Sequence, residues 1–318
     1  MRQQGSRSGF ALLLVLMLVV LASTMLAGLA RYSLTRALES QESMEEVQRR
    51  WAVASLQATV LEHAEDLLDE AEHGQPLDGQ PPDIYANKPI AELRVTCRLD
   101  QIDYELVLTD EQAKLNVNTL LQKMTPGEAR SVVSRLVAQA AQGQTDAVVL
   151  RPLTVGANTP KEVLRLPKVG GYGQVFQGLF PERLVGSAPS EGAVASVTCW
   201  GDGKVNLRRA PAKVVEQACT MHLGRDVSNA LLAARDRDPY AKLSALLAQL
   251  DKVDAARKNK ISQCVTDQSQ CHGLWIIVHG AQRSWYTLSI DPEGGTGSAP
   301  PGDNAAARQA GQRYQYSW

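Results

Sequence analysis

The chain opens on a polar, basic leader, MRQQGSRSG, and then runs from Phe10 to Ala30 without a charge or a proline. Wound as a helix rising 1.5 Å per residue, such a run crosses the roughly 30 Å of hydrocarbon in a bilayer. Beyond Arg31 the uniform pattern becomes striped. Val47, Trp51, Ala54, Ala58, Leu61 and Leu68 fall on one helical face, with Glu45, Glu46, Arg49, Arg50 and Glu62 between them. No Pro or Gly interrupts Arg31 to His73, so the two runs predict one helix of about 60 residues and roughly 90 Å. His73-Gly74-Gln75-Pro76 ends it, and Gly79 to Pro82 reads as a turn-rich linker.

The period then changes to two. Leu93, Val95, Cys97 and Leu99 alternate with polar residues, as do Tyr104, Leu106 and Leu108, which predicts a hairpin over Ile90 to Thr109 with its turn at Asp100 to Asp103. Helical text follows. Thr125-Pro126-Gly127-Glu128 and Thr159-Pro160-Lys161-Glu162 are start signals, Ala210-Pro211 opens a further helix, and Asp238-Pro239 breaks the run between Asp226 and Leu250. From Gly273 the pattern returns to strand. Leu274 to Val278 pairs with Trp285 to Ile290, Pro292 to Ala307 is rich in Gly, Ala and Pro, and Arg313 to Trp318 alternates its aromatics as a last strand would. Strand text on both sides of an α region predicts one sheet interrupted by a helical insertion.

Composition sharpens this little. A net charge of -1 over 318 residues supplies no general field for nucleic acid or acidic lipid. Five cysteines follow the apolar run, and export would place them where disulfides persist. Cys264 and Cys271, which flank a polar loop, are the favoured bridge; Cys199 with Cys219 is a second, leaving Cys97 as a buried thiol. No CxxC pair supports zinc. The five histidines are scattered, and no GxSxG, HExxH or P-loop occurs, so no catalytic set and no enzymatic activity are expected.

The apolar run admits three fates: a signal peptide cut after Ala22 or Ala30, a plain anchor, or a run whose leader is removed in front of it. Arg2 and Arg7 ahead of the run hold the N-terminus in the cytoplasm and send the body across, as a single-pass inner-membrane protein with a periplasmic body. The junction Ser8-Gly9-Phe10-Ala11-Leu12-Leu13 resembles the class III leader of type IV pilins and type II secretion pseudopilins. That resemblance implies cleavage between Gly9 and Phe10 by prepilin peptidase and N-methylation of Phe10. Pilin helices usually carry Glu four residues beyond the cut; Leu14 stands there instead.

A wider resemblance covers nearly the whole chain. Asp110-Glu111 followed by Asn116-Val117-Asn118, and the glycine turn GDGKVNLRRAP from Gly201 to Pro211, resemble two markers of the K-type minor pseudopilins of type II secretion systems. Asn206, Ala210 and Pro211 match the second marker, while Arg208 and Arg209 replace its usual Asn-Thr. Glu162 to Val169 and Leu179-Phe180-Pro181 match two further segments loosely, and the missing Glu at Leu14 is characteristic of the K type.

The resemblance implies an α+β, pilin-like fold: a long N-terminal helix packed on an antiparallel sheet, with a large α-helical domain inserted between sheet strands. The expected divisions are a cleaved leader at 1–9, a transmembrane helix at 10–30, its amphipathic continuation at 31–73, the first part of the sheet at 83–118, the insertion at 119–255, and the second part of the sheet with the tail at 256–318. Expected partners are the I- and J-type and then the H-type minor pseudopilins at a pseudopilus tip, the inner-membrane secretion platform, and prepilin peptidase as processing enzyme. The alternatives are a minor pilin of a type IV pilus or DNA-uptake machine, and a signal-anchored periplasmic domain with no filament role.

For the five motif residues, Asn116, Asn118, Asn206, Ala210 and Pro211, the chemistry points to turn and cap formation. LPKVGGYG resembles the turn of helix-hairpin-helix DNA-binding modules, with Lys204, Arg208, Arg209 and Lys213 as a nearby basic set, but Lys168 stands where that turn needs Gly. Nucleic acid is therefore not an expected partner. No cofactor is expected either; calcium alone stays open through Asp226, Asp236 and Asp238, whose spacing is not that of an EF-hand, with its ligands unassigned.

Overall fold

The computed structural model describes residues 7–73, 88–99, 102–141, 147–152, 169–250, 253–280, 284–291 and 314–317. The linker Gly79 to Pro82, the cap signal at Thr159, the Gly/Ala/Pro-rich stretch and most of Glu162 to Val169 lie outside them. The chain divides into two compact units, Met1–Leu56 and Gln57–Trp318.

In the first unit, α1 (Arg7–Glu62) begins and runs on into the second as one helix of 56 residues. Its apolar part, from Phe10, is long and apolar enough to cross a membrane and is not buried within the chain. The helix predicted to continue to His73 instead stops at Glu62. His63 leaves helical geometry at φ -112° and ψ 20°, and α2 (Ala64–Glu72) starts afresh. The interruption needs neither Gly nor Pro, which is why the sequence pattern passes over it.

The second unit is built on a five-stranded antiparallel sheet in the order β1-β2-β7-β8-β9. Its strands are β1 (Glu92–Leu99), β2 (Ile102–Asp110), β7 (His272–His279), β8 (Ser284–Asp291) and β9 (Tyr314–Ser317). In the first hairpin Leu93 faces Leu108, Val95 faces Leu106 and Cys97 faces Tyr104, so the two alternating sets share one face. Period two dictates this register, because a slip of one residue would turn every apolar side chain outward. The central strand β7 is buried on both faces. Trp275 and Ile277 join the large core shared with the insertion, and Leu274, Ile276 and Val278 are buried on the reverse side. The helix α2 touches β1 and buries Ala64, Leu68 and Ala71. The result is an α+β fold in which a long N-terminal helix leads into the short helix α2, laid against an antiparallel sheet, and a large helical region enters between β2 and β7.

The two central strands bracket that insertion. Asp110 pairs with His272, and the Glu111 N–H donates to the Cys271 carbonyl at 2.9 Å, so the chain leaves and re-enters the sheet at neighbouring points. Measured from the ladder, the excursion spans 111–271. It takes in residues 256–264, assigned from sequence to the second part of the sheet, which are helical. Within it lie α3 (Val117–Lys123), α4 (Pro126–Ala141), α5 (Tyr172–Val175), α6 (Pro181–Val185), α7 (Ala212–Leu223), α8 (Arg225–Arg237), α9 (Leu243–Ala248) and α10 (Ala255–Cys264). Two short parallel pairs stitch it together: β3 (Leu115–Asn116) with β4 (Val197–Thr198), and β5 (Val205–Asn206) with β6 (Val265–Thr266). The predicted cap before α4 is a capping box. The Thr125 N–H donates to Glu128 Oε2 at 2.9 Å, which also holds the Glu128 carboxyl below its ordinary range.

Candidate functional site

On α2, Glu65, Asp69 and Glu72 stand at positions i, i+4 and i+7, which a helix brings to one face. That face meets Arg208 and Arg209, which follow β5. The Arg209 guanidinium is fully buried and divides its donors among three acids. Nε donates to Glu72, Nη1 to Glu65 and Nη2 to Asp69, each at 2.7 Å, and Asp110 Oδ2 lies 3.6 Å from Nη1. Arg208 donates to Asp69 at 2.5 Å and also to Glu72 Oε2, and its guanidinium lies over the Tyr240 ring. The buried Glu72 carboxylate takes a further bond from the Ile90 N–H at 3.1 Å, tying in the approach to β1. His272, at the start of β7, meets Glu65 through Nε2 at 3.0 Å.

A planar five-donor cation suits this place, since it can serve several carboxylates at once where an ammonium acts as one point charge. Burial pushes the Glu65 carboxyl up. The hydrogen bond with His272, the charge of Arg209 and the bond from Arg209 outweigh it and hold Glu65 at about 2. Burial would lower Arg209, but Asp110, Glu65 and Glu72 raise it above the ordinary arginine value.

Asp110 links this ion cluster to the insertion. Its Oδ1 accepts the N–H groups of Gln112 and Ala113 at 2.8 and 3.1 Å and the Ser269 hydroxyl, and its Oδ2 accepts from Asn206 Nδ2 at 2.8 Å. The next residue centres a second buried network. Glu111 accepts from Lys114 Nζ and Thr198 Oγ1 at 2.5 Å, from Thr109 Oγ1 at 2.8 Å and from the Tyr172 hydroxyl at 3.3 Å. Burial, with the Glu111 charge beside them, pushes Tyr172, Cys199 and Cys271 up, so all three stay neutral at ordinary pH.

The asparagines hold the corners. Asn116 caps α3 by accepting the N–H groups of Asn118 and Thr119 at 2.8 and 3.1 Å, and donates to the Trp200 carbonyl at 2.7 Å. Asn118 makes three bonds of 2.8 Å, donating to the Val169 and Cys199 carbonyls and accepting the Val169 N–H. It thereby fastens three separate pieces of chain. Asn206 accepts the Arg208 N–H through its side chain at 3.1 Å, its carbonyl accepts the Ala210 N–H at 2.9 Å, and Pro211 stands at the N-cap of α7. The glycine turn is shaped by contact as well as by dihedral. Gly203 has φ +86°, and a Cβ there would lie 2.1 Å from Thr119 Oγ1.

A third seam covers the outer edge of the sheet. Arg94 of β1 donates to the carbonyls of Val185 and Gly186 at 2.9 and 3.0 Å, and Glu92 Oε2 accepts the Ser190 N–H at 3.1 Å. An edge strand exposes unpaired backbone groups, and a loop fastened by charged side chains blunts it.

Other predicted positions fall elsewhere. Gly9 lies in the first turns of α1, where Phe10 and Leu14 are exposed. The expected Cys264–Cys271 bridge is not formed, and all five cysteines are free thiols. The seven-residue spacing favoured that pair, but Cys264 ends α10 while Cys271 lies beside Glu111 and Asp110. Arg208 and Arg209 do not join Lys204 and Lys213 in a basic patch, because acids of α2 hold them. Asp226 sits in the first turn of α8 and Asp238 at its C-cap, and Asp236 pairs with Arg235. Among the described residues no group of three His, Cys, Asp or Glu is placed to hold a metal ion. The ion cluster escaped the sequence reading, although three acids at helical spacing opposite an Arg-Arg pair were its signal.

No family model matches the chain, and no curated protein matches it significantly. Among solved structures it is similar to a chain in the crystal structure of the GspK-GspI-GspJ complex from the Type 2 Secretion System of enterotoxigenic Escherichia coli. The identity is 15%, the match covers 79% of this chain and 93% of that chain, and the TM-score is 0.43.

Proposed function

We propose that this chain is a K-type minor pseudopilin, working at the tip of the pseudopilus that supports export of folded proteins by type II secretion. The observation that carries the reading is the placement of its two markers. Asn116 and Asn118 stand where the helical insertion leaves the sheet, and Asn206 to Pro211 stand where it is fastened back against Asp110 and α2. Ahead of them lies a single apolar helix entered through Gly9-Phe10. A bulky insertion suits a terminal subunit better than a stacked one, and Leu14 leaves the helix without the acid that pairs with a neighbour's amine. On this reading the leader is removed before Phe10 by prepilin peptidase, Phe10 is methylated, and the helix anchors a periplasmic body in the inner membrane. The partners are the I-, J- and H-type minor pseudopilins and the secretion platform.

Mass spectrometry of the mature N-terminus tests the reading. N-methyl-Phe10 is the expected result; retained Met1, or a cut after Ala22 or Ala30, overturns it. Deletion of the gene separates secretion from a type IV pilus role: export of secreted enzymes is lost if the reading holds, and unchanged export refutes it.

A further inference from the structure

We propose that Arg31, Tyr32 and Arg36 form a collar that binds the phosphates of anionic phospholipids where α1 leaves the bilayer. The apolar run ends at Ala30, and Arg31 and Tyr32 follow it directly, both exposed. Arg36 comes six residues after Ala30, about 9 Å along the helix. Its charge does not stay at that height. Side chains of a helix lean toward its N-terminus, and Arg36 reaches back one turn. Its Nε donates to the Tyr32 hydroxyl at 3.1 Å, and its guanidinium lies 5.5 Å from the centre of the Tyr32 ring. The Arg36 charge is thus drawn back to the level of Tyr32, next to the end of the apolar run. A tyrosine suits the headgroup layer at that level, because its ring is apolar and its hydroxyl polar.

The order of charges along α1 selects the lipid. Between Ala30 and Glu39 the chain carries Arg31 and Arg36 and no acid; from Glu39 to Glu46 it carries Glu39, Glu42, Glu45 and Glu46 and no base. An anionic headgroup layer attracts the first stretch and repels the second, so it is held to the turns that directly follow the run. With Nε on the Tyr32 hydroxyl, Arg36 keeps Nη1 and Nη2 for the oxygens of a phosphate, which the planar guanidinium matches. The rival for that charge is Glu39, 4.0 Å away, with the two side chains 67% and 62% exposed, and so open a pair contributes little. Arg31 and Arg36 are five residues apart, about 140° around the helix, so they meet different lipid molecules. This inference rests on Phe10 to Ala30 being a membrane anchor and on no role in secretion.

The test is native mass spectrometry of the full-length chain released from a neutral detergent that holds phosphatidylglycerol and phosphatidylcholine of the same acyl chains in equal amounts. The native chain is expected to retain phosphatidylglycerol in preference. Arg31→Gln with Arg36→Gln is expected to lower the ratio of the two bound lipids roughly fivefold or more. Both side chains are exposed, so the circular dichroism melt of that variant should match the native one. Equal binding of the two lipids by the native chain, or a ratio that the double variant leaves unchanged, overturns the proposal. Tyr32→Phe keeps the ring and loses the hydroxyl, and should give a ratio between those of the native chain and the double variant; a native ratio removes Tyr32 from the collar. Inorganic phosphate in large excess should leave the lipid bound, and displacement overturns the lipid as the ligand. Retention of neither lipid overturns the anchor itself, a result distinct from equal binding of both.

Discussion

At the scale of single residues, Arg209 has the largest expected effect. Its guanidinium is fully buried among Glu65, Asp69, Glu72 and Asp110, so removing it leaves buried negative charge uncompensated. Arg209→Met is expected to cost about 3–5 kcal/mol in urea unfolding, the range for breaking a buried ion pair from one side. Adding Glu72→Gln to that variant should recover part of the loss, since one stranded charge goes with it. Arg209→Lys should recover little, because one ammonium cannot reproduce three divergent donors.

Glu65 predicts the acid behaviour. It sits at about 2 in the folded chain against 4.5 ordinarily, so on acidification the unfolded state takes up the proton first. Its contribution is complete above pH 4.5 and declines as the pH falls towards 2. Melting temperatures measured across that window should fall more steeply for the native chain than for Glu65→Gln; parallel slopes would remove Glu65 from the acid limb.

At the scale of elements, the insertion is held by single side chains that each bridge several segments. Asn118 is the clearest, and Asn118→Ala leaves two carbonyls and one amide without their partner. Each stranded buried group costs roughly 1–3 kcal/mol, so the variant should lose on the order of 3 kcal/mol by chemical denaturation even after partial relaxation. Gly192 limits a different joint. A Cβ there would lie 2.2 Å from the Val185 carbonyl oxygen, beside the loop that Arg94 and Glu92 hold over the sheet edge. Gly192→Ala is expected to destabilise the chain by about 1–3 kcal/mol and to expose that loop to limited proteolysis.

What was legible in the sequence follows from the range of the interactions. The first hairpin, the capping box at Thr125 and the return to strand at Gly273 are written in neighbours two to four residues apart, and they fold as written. The break at His63 lacks a Gly or Pro to announce it. The bonds of Arg209 to the three acids of α2 join residues 137 or more positions apart, so they cannot be read from local spacing.

At the scale of the whole molecule, the two units differ in what covers their apolar side chains. In the second unit many buried apolar residues from Val107 onward are gathered in a common core around Trp275, Leu207 and Val215, and Leu274, Ile276 and Val278 are buried on the reverse side of the sheet. Phe10, Leu13, Leu16, Met17 and Leu29 are exposed along α1, and among the described residues none buries the apolar part of that helix. The 21-residue run from Phe10 to Ala30 cannot stay in water at roughly 25 cal/mol per Å2 of apolar surface, so lipid or another chain must cover it. The buried members of the second unit's common core all come from Val107 onward. Removing residues 1–30 should therefore abolish the need for detergent while leaving cooperative unfolding in place, with the melting temperature within about 2 °C of the full chain, the change expected when only exposed positions are lost. A circular dichroism melt of the two proteins measures this. A truncated chain that melts broadly or far lower would mean that the apolar helix also holds the body together.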